Sequence, residues 1–154
     1  YPASAKSLVK LTCGCINLRL LRRLCTVCRE PFQPTPQSLQ KLGLPAGRVQ
    51  TLYRPYIPPP PEQRFDAQGK PLEIEICKQC NGRGYYGRMG VFELLQLNDE
   101  IRQVLLKKPD VQSVLPVARK SGFLTLQEEG ALAVAQGLTS LQELQRVLYP
   151  AQKA

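Results

Sequence analysis

Two CxxC motifs place the strongest constraint on the fold of this 154-residue chain. They are Cys25-Thr-Val-Cys28 and Cys77-Lys-Gln-Cys80. A CxxC turn directs two sulfurs towards one point, and two such turns complete the tetrahedron in which Zn²⁺ binds sulfur at about 2.3 Å. All four ligands would come from the protein, which is typical of a structural site and leaves no open position for catalysis. The sequence therefore predicts a closed zinc site at Cys25, Cys28, Cys77 and Cys80.

Three other interpretations of the motifs stay open. Disulfides are one, but they are typical of secreted chains, and Lys10 and Arg19 interrupt the apolar stretch that a signal peptide would need. A redox-active CxxC is another, but it needs a βαβ context that the pattern lacks. The third is a relic site that no longer binds metal. Cys13-Gly-Cys15 has too few intervening residues for a CxxC turn, so we expect these two to be small buried hydrophobic residues.

Composition excludes several classes of function. The chain has no His, which excludes Ser-His-Asp and Cys-His catalysis and His metal ligands. The net charge is +9, and residues 1–60 carry nine basic residues against one acid. This basic first part favours an acidic partner or an anionic membrane surface. No run approaches the ~20 apolar residues of a membrane span, so we expect a soluble, cytoplasmic chain. Because the chain begins with Tyr1 and its single Met is Met89, we also expect a fragment, a processed product or an incomplete gene model.

The hydrophobic pattern of the first part predicts few regular elements. The apolar spacing over residues 16–24 predicts a helix, and residues 37–42 can form one or two helical turns. Ten of the fourteen prolines lie between Pro31 and Pro71, which excludes helix interior there. Alternation over residues 65–76 predicts a hairpin, and residues 90–97 a strand.

The second part is predicted to be helical. Four N-terminal capping signals, two of them capping boxes with Glu three residues on, each precede an apolar stripe: Asn98, Asp110, Thr125 and Ser140. The second helix should end at Gly122 and the third at Gly137, and Pro116 should kink the second or restart it.

The predicted fold class is therefore α+β: a small tetracysteine zinc module with short strands and a Pro-rich insert, followed by a small all-helical C-terminal subdomain. The predicted segments are residues 1–24 (a helix), 25–90 (the zinc module), 91–149 (a strand, then helices) and 150–154 (a tail). The glycine run after the second motif, Gly82 to Gly90, has Arg83 and Arg88 within it, as a phosphate cradle would. We favour a backbone role, in which the glycines let the chain turn around the metal.

Three stretches together resemble one protein family. LRLLRRLCTVCREPF, ICKQCNGRGYYGRMGVFELLQLNDEIR and ARKSGFLTLQEEGALAVAQGLTSLQELQRVL are similar, in this order, to the C-terminal third of type II secretion and type IV pilus assembly ATPases, the general secretion pathway protein E group. The resemblance covers nearly the whole chain and places that family's four zinc ligands on the four CxxC cysteines. Its other motif positions fall on Arg22, Arg23, Gly84, Tyr85, Gly87, Arg88, Glu93, Leu126, Gly130 and Gly137.

The resemblance implies that the chain is an incomplete part of a RecA-like ATPase, with residues 1–24 at the end of the truncated ATPase core. The Walker A, Walker B, Asp-box and His-box motifs are absent, so we expect no catalytic or nucleotide-binding residues here and no ATP hydrolysis by this chain alone. ATP and Mg²⁺ would belong to the full-length family, and structural zinc to this part.

The implied partners are the ATPase subunits of a hexamer and an inner-membrane secretion or pilus platform protein, which would keep a cytoplasmic chain peripheral to the inner membrane. Two alternatives are a nucleic-acid-binding zinc module, which the few aromatic residues disfavour, and a chaperone-like interaction module suggested by CKQCNGRG.

Overall fold

The computed structural model describes residues 5–44, 49–60, 63, 69–70, 72 and 74–149. These residues contain six helices and four strands, in the following order along the chain: α1 (Ala5–Leu11), β1 (Gly14–Leu24), β2 (Glu30–Phe32), α2 (Pro36–Lys41), β3 (Leu52–Arg54), β4 (Tyr85–Gln96), α3 (Asp99–Lys107), α4 (Val111–Lys120), α5 (Leu126–Ala135) and α6 (Leu141–Leu148). The chain is thus a mixed α/β protein with few strands.

Contacts divide the chain into two units. The first groups the described residues up to Arg19 with Gly90–Glu129, and the second groups Leu20–Met89 with the described residues from Gly130 onwards. In the first, α3 packs against both α1 and α4. Its core holds Leu97, Ile101 and Ala118, with Phe123 packed against them. The second unit buries an aliphatic set that includes Leu21, Leu24, Leu39, Leu42, Leu52, Val134 and Leu144.

Residues 16–24 form a strand, so the predicted helix is wrong there. They belong to β1, which pairs with β4 in a two-stranded sheet. Two members of the predicted apolar stripe, Ile16 and Leu20, are 70% and 53% exposed, whereas Leu21 is fully buried. A nine-residue stripe can fit a helix by coincidence, and the strand partner lies some seventy residues away, where no local pattern can report it.

The strand predicted at residues 90–97 exists but is longer. β4 begins at Tyr85 and ends at Gln96. The other sheet is a short antiparallel pair, β2 with β3, in which Glu30 faces Arg54 and Phe32 faces Leu52. Only residues 69–70, 72 and 74–76 of the hairpin predicted at 65–76 are described, and none of these lies in a strand; the rest of that prediction, including the turn from residue 66, lies outside the described residues.

The predicted caps are confirmed. Asn98, Asp110 and Ser140 each accept a hydrogen bond from the backbone N–H three residues on, at the start of α3, α4 and α6. Thr125 and Glu128 form a full capping box: each side chain accepts from the other residue's N–H. The helical turns predicted at residues 37–42 are α2, capped by Thr35.

Of the two predicted effects of Pro116, a kink or a restart of the helix, the restart is not found. Pro116 lies inside α4, which runs on to Lys120. Proline lacks the N–H that would bond the carbonyl one turn earlier, so α4 forgoes one internal hydrogen bond. Packing of Val114, Val117 and Ala118 into the core of the first unit maintains the helix.

Candidate metal centre

The first CxxC turn follows directly on β1. The N–H of Cys25 donates to the carbonyl of Gly84 at 3.0 Å, and the N–H of Arg29 donates back to the carbonyl of Cys25 at 3.0 Å. The first bond ties this turn to the backbone that follows the second motif. The second closes the turn and aims the thiols of Cys25 and Cys28 to one side.

The second CxxC turn is followed by a stretch of left-handed backbone. Asn81 has φ 51°, Gly82 φ 73° and Gly84 φ 70°. A Cβ on Gly84 would stand 2.5 Å from the Cβ of Pro55 and 2.9 Å from the carbonyl oxygen of Tyr56. Glycine is therefore required at residue 84 both for its backbone angle and for the close approach of the 55–56 segment. These observations agree with the backbone role predicted for the glycine run.

The four thiols of the two motifs converge. The Sγ atoms of Cys25 and Cys77 lie 3.7 Å apart, those of Cys28 and Cys80 3.6 Å apart, and all four lie within 4.8 Å of one another. A tetrahedron with 2.3 Å Zn–S bonds has edges of about 3.8 Å between sulfurs. A disulfide would need about 2.05 Å. The cluster thus has room for a metal ion at its centre and has no S–S bond between these two pairs.

Burial and hydrogen bonding shift the pKa values of two of the thiols in opposite directions. Cys25 and Cys80 are buried, and Cys28 and Cys77 are partly exposed. Burial, followed by hydrogen bonds among the thiols, raises the pKa of Cys28. The pKa of Cys77 falls to about 7, chiefly because the backbone N–H of Cys80 donates to its sulfur. Thiolate is the form that ligates metals, so the second turn already favours the ligating form of Cys77.

Cys13 and Cys15 lie elsewhere, and the prediction that they are buried hydrophobic residues is wrong. Both are exposed at the start of β1. A two-stranded sheet covers few of its own side chains. In β1, every residue before Leu21 is exposed. They are not among the thiols that the structure groups as a metal cluster.

The turn between α5 and α6 contacts the strand and loop around the first motif. The N–H of Leu24 donates to the carbonyl of Leu138 at 2.9 Å, and the Oγ1 of Thr139 donates to the carbonyl of Arg22 at 2.8 Å. The guanidinium of Arg29 donates to the carbonyl of Gly137 at 2.5 Å. In all three hydrogen bonds the acceptor is a main-chain carbonyl. Together they make α6 and the first CxxC motif parts of one packed unit.

Glu143 is the residue that sequence reasoning missed. Its carboxylate is fully buried and accepts from Arg22 and Arg146. Burial by itself raises the pKa of Glu143, but the hydrogen bonds from Arg146, from the Arg22 side chain and from the Arg22 N–H outweigh it and lower the pKa to about 2. The capping-box signal located this acid at the start of α6 but paired it with the Ser140 N–H. Nothing in the local sequence points to Arg22, which lies on strand β1, 121 residues earlier in the chain.

Several positions matched by the resemblance have structural contacts. The carboxylate of Glu93 accepts from the N–H of Leu126 at 3.1 Å, at the start of α5. The hydroxyl of Tyr85 lies 2.7 Å from that of Ser140. Gly130 packs against Leu144 so closely that a Cβ there would overlap a leucine methyl group. Arg23 and Arg88 are exposed.

Comparison with known proteins decides the family. The profile of the type II/IV secretion system protein family matches residues 5–146, almost the whole chain. The chain belongs to this family. The resemblance that the motifs indicated is therefore confirmed, and the tetracysteine cluster is a feature of a secretion-family chain.

Curated relatives are similar over most of this chain. The type IV pilus assembly ATPase PilB of Thermus thermophilus is 31% identical over 131 residues, which is 85% of this chain and 13% of that protein. The protein transport protein HofB homolog of Escherichia coli is 36% identical and covers 86% of this chain and 24% of its own length. The type II secretion system protein E of Pseudomonas aeruginosa is 29% identical, and the match covers 87% of this chain and 23% of that protein.

The chain thus spans less than a quarter of the length of each of these relatives. In its described part, no helix combines the length and the apolar character needed to cross a membrane.

Proposed function

We propose that the chain supplies a structural zinc module, together with a helical subdomain, to a type II secretion or type IV pilus assembly ATPase. The observation that carries the proposal is the convergence of four cysteine sulfurs, with two separations of 3.6–3.7 Å, in a chain of this family. Cys25, Cys28, Cys77 and Cys80 would be the ligands.

The donor set favours zinc in a structural role. Four thiolates complete a tetrahedron, so no position remains for a water or a substrate, as a catalytic zinc site requires. Because the two CxxC turns lie 52 residues apart, the metal would close a long loop that includes the Pro-rich insert. The role of the site would therefore be to hold the two ends of that loop together.

We infer that ATP hydrolysis, with its ATP and Mg²⁺, belongs to the longer proteins of the family and not to this stretch. In two relatives that carry the name ATPase, the matched stretch is 13% and 20% of the protein, so these proteins are about five to eight times as long as the matched stretch. In functional terms, residues 1–24 would join the ATPase core, 25–90 would hold the metal and 91–149 would form the helical subdomain with its leading strand.

The proposed partners follow from the family. They are the other subunits of an ATPase hexamer and the inner-membrane platform protein of the machinery, with an anionic membrane surface as a further contact of the basic first part. The chain would then act on the cytoplasmic side, peripheral to the inner membrane.

Metal content tests the zinc proposal directly. The full chain is prepared with zinc, dialysed, and its bound metal measured by native mass spectrometry and by thiol-triggered release into a chromophoric chelator. We expect one zinc per chain, lost in Cys25→Ser/Cys28→Ser. The matched control, Cys13→Ser/Cys15→Ser, removes the same number of thiols from exposed positions and should keep the zinc. Equal metal content in the two double variants, or none in the unmodified chain, would overturn the proposal.

A further inference from the structure

Three arginines line one cavity of the second unit. Arg22 on β1, Arg54 on β3 and Arg83 after the second CxxC turn border a volume of about 620 Å³. The only carboxylate among the described lining residues is that of Glu30. The lining thus carries three positive charges against one negative charge.

Two of the three guanidinium groups are oriented by contacts within the protein and still keep N–H groups for a ligand. Arg22 lies over the ring of Tyr85, 4.3 Å from its centroid, and donates from Nε and Nη2 to Glu143, which leaves its Nη1. Arg54 donates from Nε to Glu30 at 2.9 Å, which leaves both of its terminal nitrogens. Arg83 makes no ion pair with any described residue. Two arginines are therefore oriented by protein contacts while they keep N–H groups for a ligand.

Apart from Gln142, the rest of the wall is apolar or aromatic. Pro55, Tyr56 and Ile57 follow β3 directly and line the cavity. A site for a bare ion needs no such wall. A site for a peptide does, because its side chains carry methylene groups and apolar neighbours that gain from burial.

We propose that this cavity binds the carboxylate side chains of an acidic peptide segment on a partner protein. The planar N–H forks of arginine match carboxylates in geometry and in charge. The three arginines are exposed, with 46% of the Arg22 side chain and 57% of the Arg54 side chain accessible. The apolar and aromatic residues beside them favour a peptide over a lipid headgroup, because the side chains of a peptide gain from burial against that wall. The inference is separate from the zinc site, because none of the three arginines is a proposed metal ligand.

The test uses the full, zinc-treated chain and a short fluorescein-labelled peptide of alternating Glu and Ala, followed by anisotropy at low and at higher salt. A peptide with Gln in place of Glu is the ligand control. Arg83→Gln should weaken binding about fivefold, the effect of losing one partly exposed ion pair. Arg54→Gln should weaken it further, because it also removes the partner of Glu30. Binding should weaken as salt rises.

The matched control variant is Arg88→Gln. Arg88 is also an exposed arginine of the same unit, on β4, but it does not line the cavity. It should leave the affinity for the Glu peptide nearly unchanged, and circular dichroism with zinc content should show all variants folded. If Arg83→Gln and Arg88→Gln weaken binding equally, the peptide is attracted by the overall positive charge and not by the cavity, and the proposal is overturned.

Two further probes exclude other anions. If inorganic phosphate binds, if Arg83→Gln weakens that binding, and if the Glu peptide does not bind, the cavity is a phosphate site. Phosphatidylglycerol vesicles that bind under the same conditions, again without peptide binding, would make it a membrane contact. Either result would overturn the peptide assignment.

Discussion

The guanidinium of Arg22 donates from Nε and Nη2 to the buried carboxylate of Glu143, at 2.9 and 2.6 Å, across 121 positions of sequence. Arg146 donates to the same carboxylate at 2.8 and 2.7 Å. The first contact joins the strand that leads into the first CxxC motif to helix α6. The first CxxC turn and helix α6 are thus connected by a charged pair, one member of which has no exposed side-chain surface.

Arg22→Met should destabilise the chain. The substitution keeps an unbranched apolar side chain beside Tyr85 but leaves the buried Glu143 with Arg146 and the backbone N–H of residue 22 as its partners. Loss of one partner of a buried charged group predicts a decrease of about 1–3 kcal/mol in the free energy of unfolding, measured by urea titration. The control is Arg19→Met on the same strand, because the side chain of Arg19 bonds, within the described part of the chain, to the neighbouring Asn17 side chain and Leu18 carbonyl alone. Equal midpoints for the two variants would contradict this reading of Arg22.

Glu128 should contribute a pH-dependent part of the stability. Its pKa is lowered to about 2, first by the hydrogen bond from Arg119 and then by that from the Thr125 N–H. An unfolded Glu titrates near 4.3, so the folded state binds fewer protons, and this stabilisation is complete above about pH 5 and is lost as the pH falls towards 2.

Comparing the unmodified chain with the Glu128→Gln variant isolates the contribution of the Glu128 charge to stability, because Gln can still form a capping box. Thermal unfolding from pH 2 to 7 should show the unmodified chain more stable at pH 6 and the difference vanishing near pH 2. Both side chains of the pair are partly exposed, so the difference should be small and should decrease with salt. A difference that stays constant across the range would rule out the ion pair as its source.

Two glycines after helices should differ in their tolerance of alanine. Gly137, after α5, has φ 68°, and Gly122, after α4, has φ 84°. Both substitutions place a Cβ on left-handed backbone, at a cost of about 1–2 kcal/mol. At Gly122 the new methyl group meets nothing within 4 Å, whereas at Gly137 it would stand 2.6 Å from Cδ2 of Tyr53.

We therefore expect Gly122→Ala to lower the free energy of unfolding by about 1–2 kcal/mol, and Gly137→Ala by about 2–5 kcal/mol, because overpacking adds to the backbone term. Denaturant titration of both variants checks the order. Equal losses would mean that the ring of Tyr53 moves aside without cost.

Zinc removal should loosen the chain unevenly. If the four cysteines hold zinc, a chelator should raise hydrogen exchange first at the CxxC turns and at residues 137–148, whose first three residues bond to Arg29, Leu24 and Arg22. Amides of α3 and α4 lie in the other unit and should keep their protection longer. The Cys13→Ser/Cys15→Ser chain should respond like the unmodified one. Simultaneous loss of protection in both units would contradict the local effect.

The sequence by itself determined the features that rest on local chemistry. Cap residues such as Asn98 and Thr125 act within one turn of their helix, so the starts of α3, α4, α5 and α6 were predicted to within a residue or so. The pairing of the two CxxC motifs was also predicted, since each motif presents two thiols whatever lies between them, and the structure does bring the four sulfurs together. That the cluster binds zinc stays a prediction.

Tertiary structure decided what depends on distant partners. Residues 16–24 form a strand because β4 supplies its hydrogen-bonding partner, and their local apolar spacing had favoured a helix. Cys13 and Cys15 are exposed because, among the described residues, the outer end of that strand is left uncovered. Glu143 turns away from its cap to reach Arg22, since a buried carboxylate is stabilised more by two guanidinium groups than by one backbone N–H. The strand and the Glu143 ion pair are each set by a contact between segments that are far apart in sequence, which no local pattern can report.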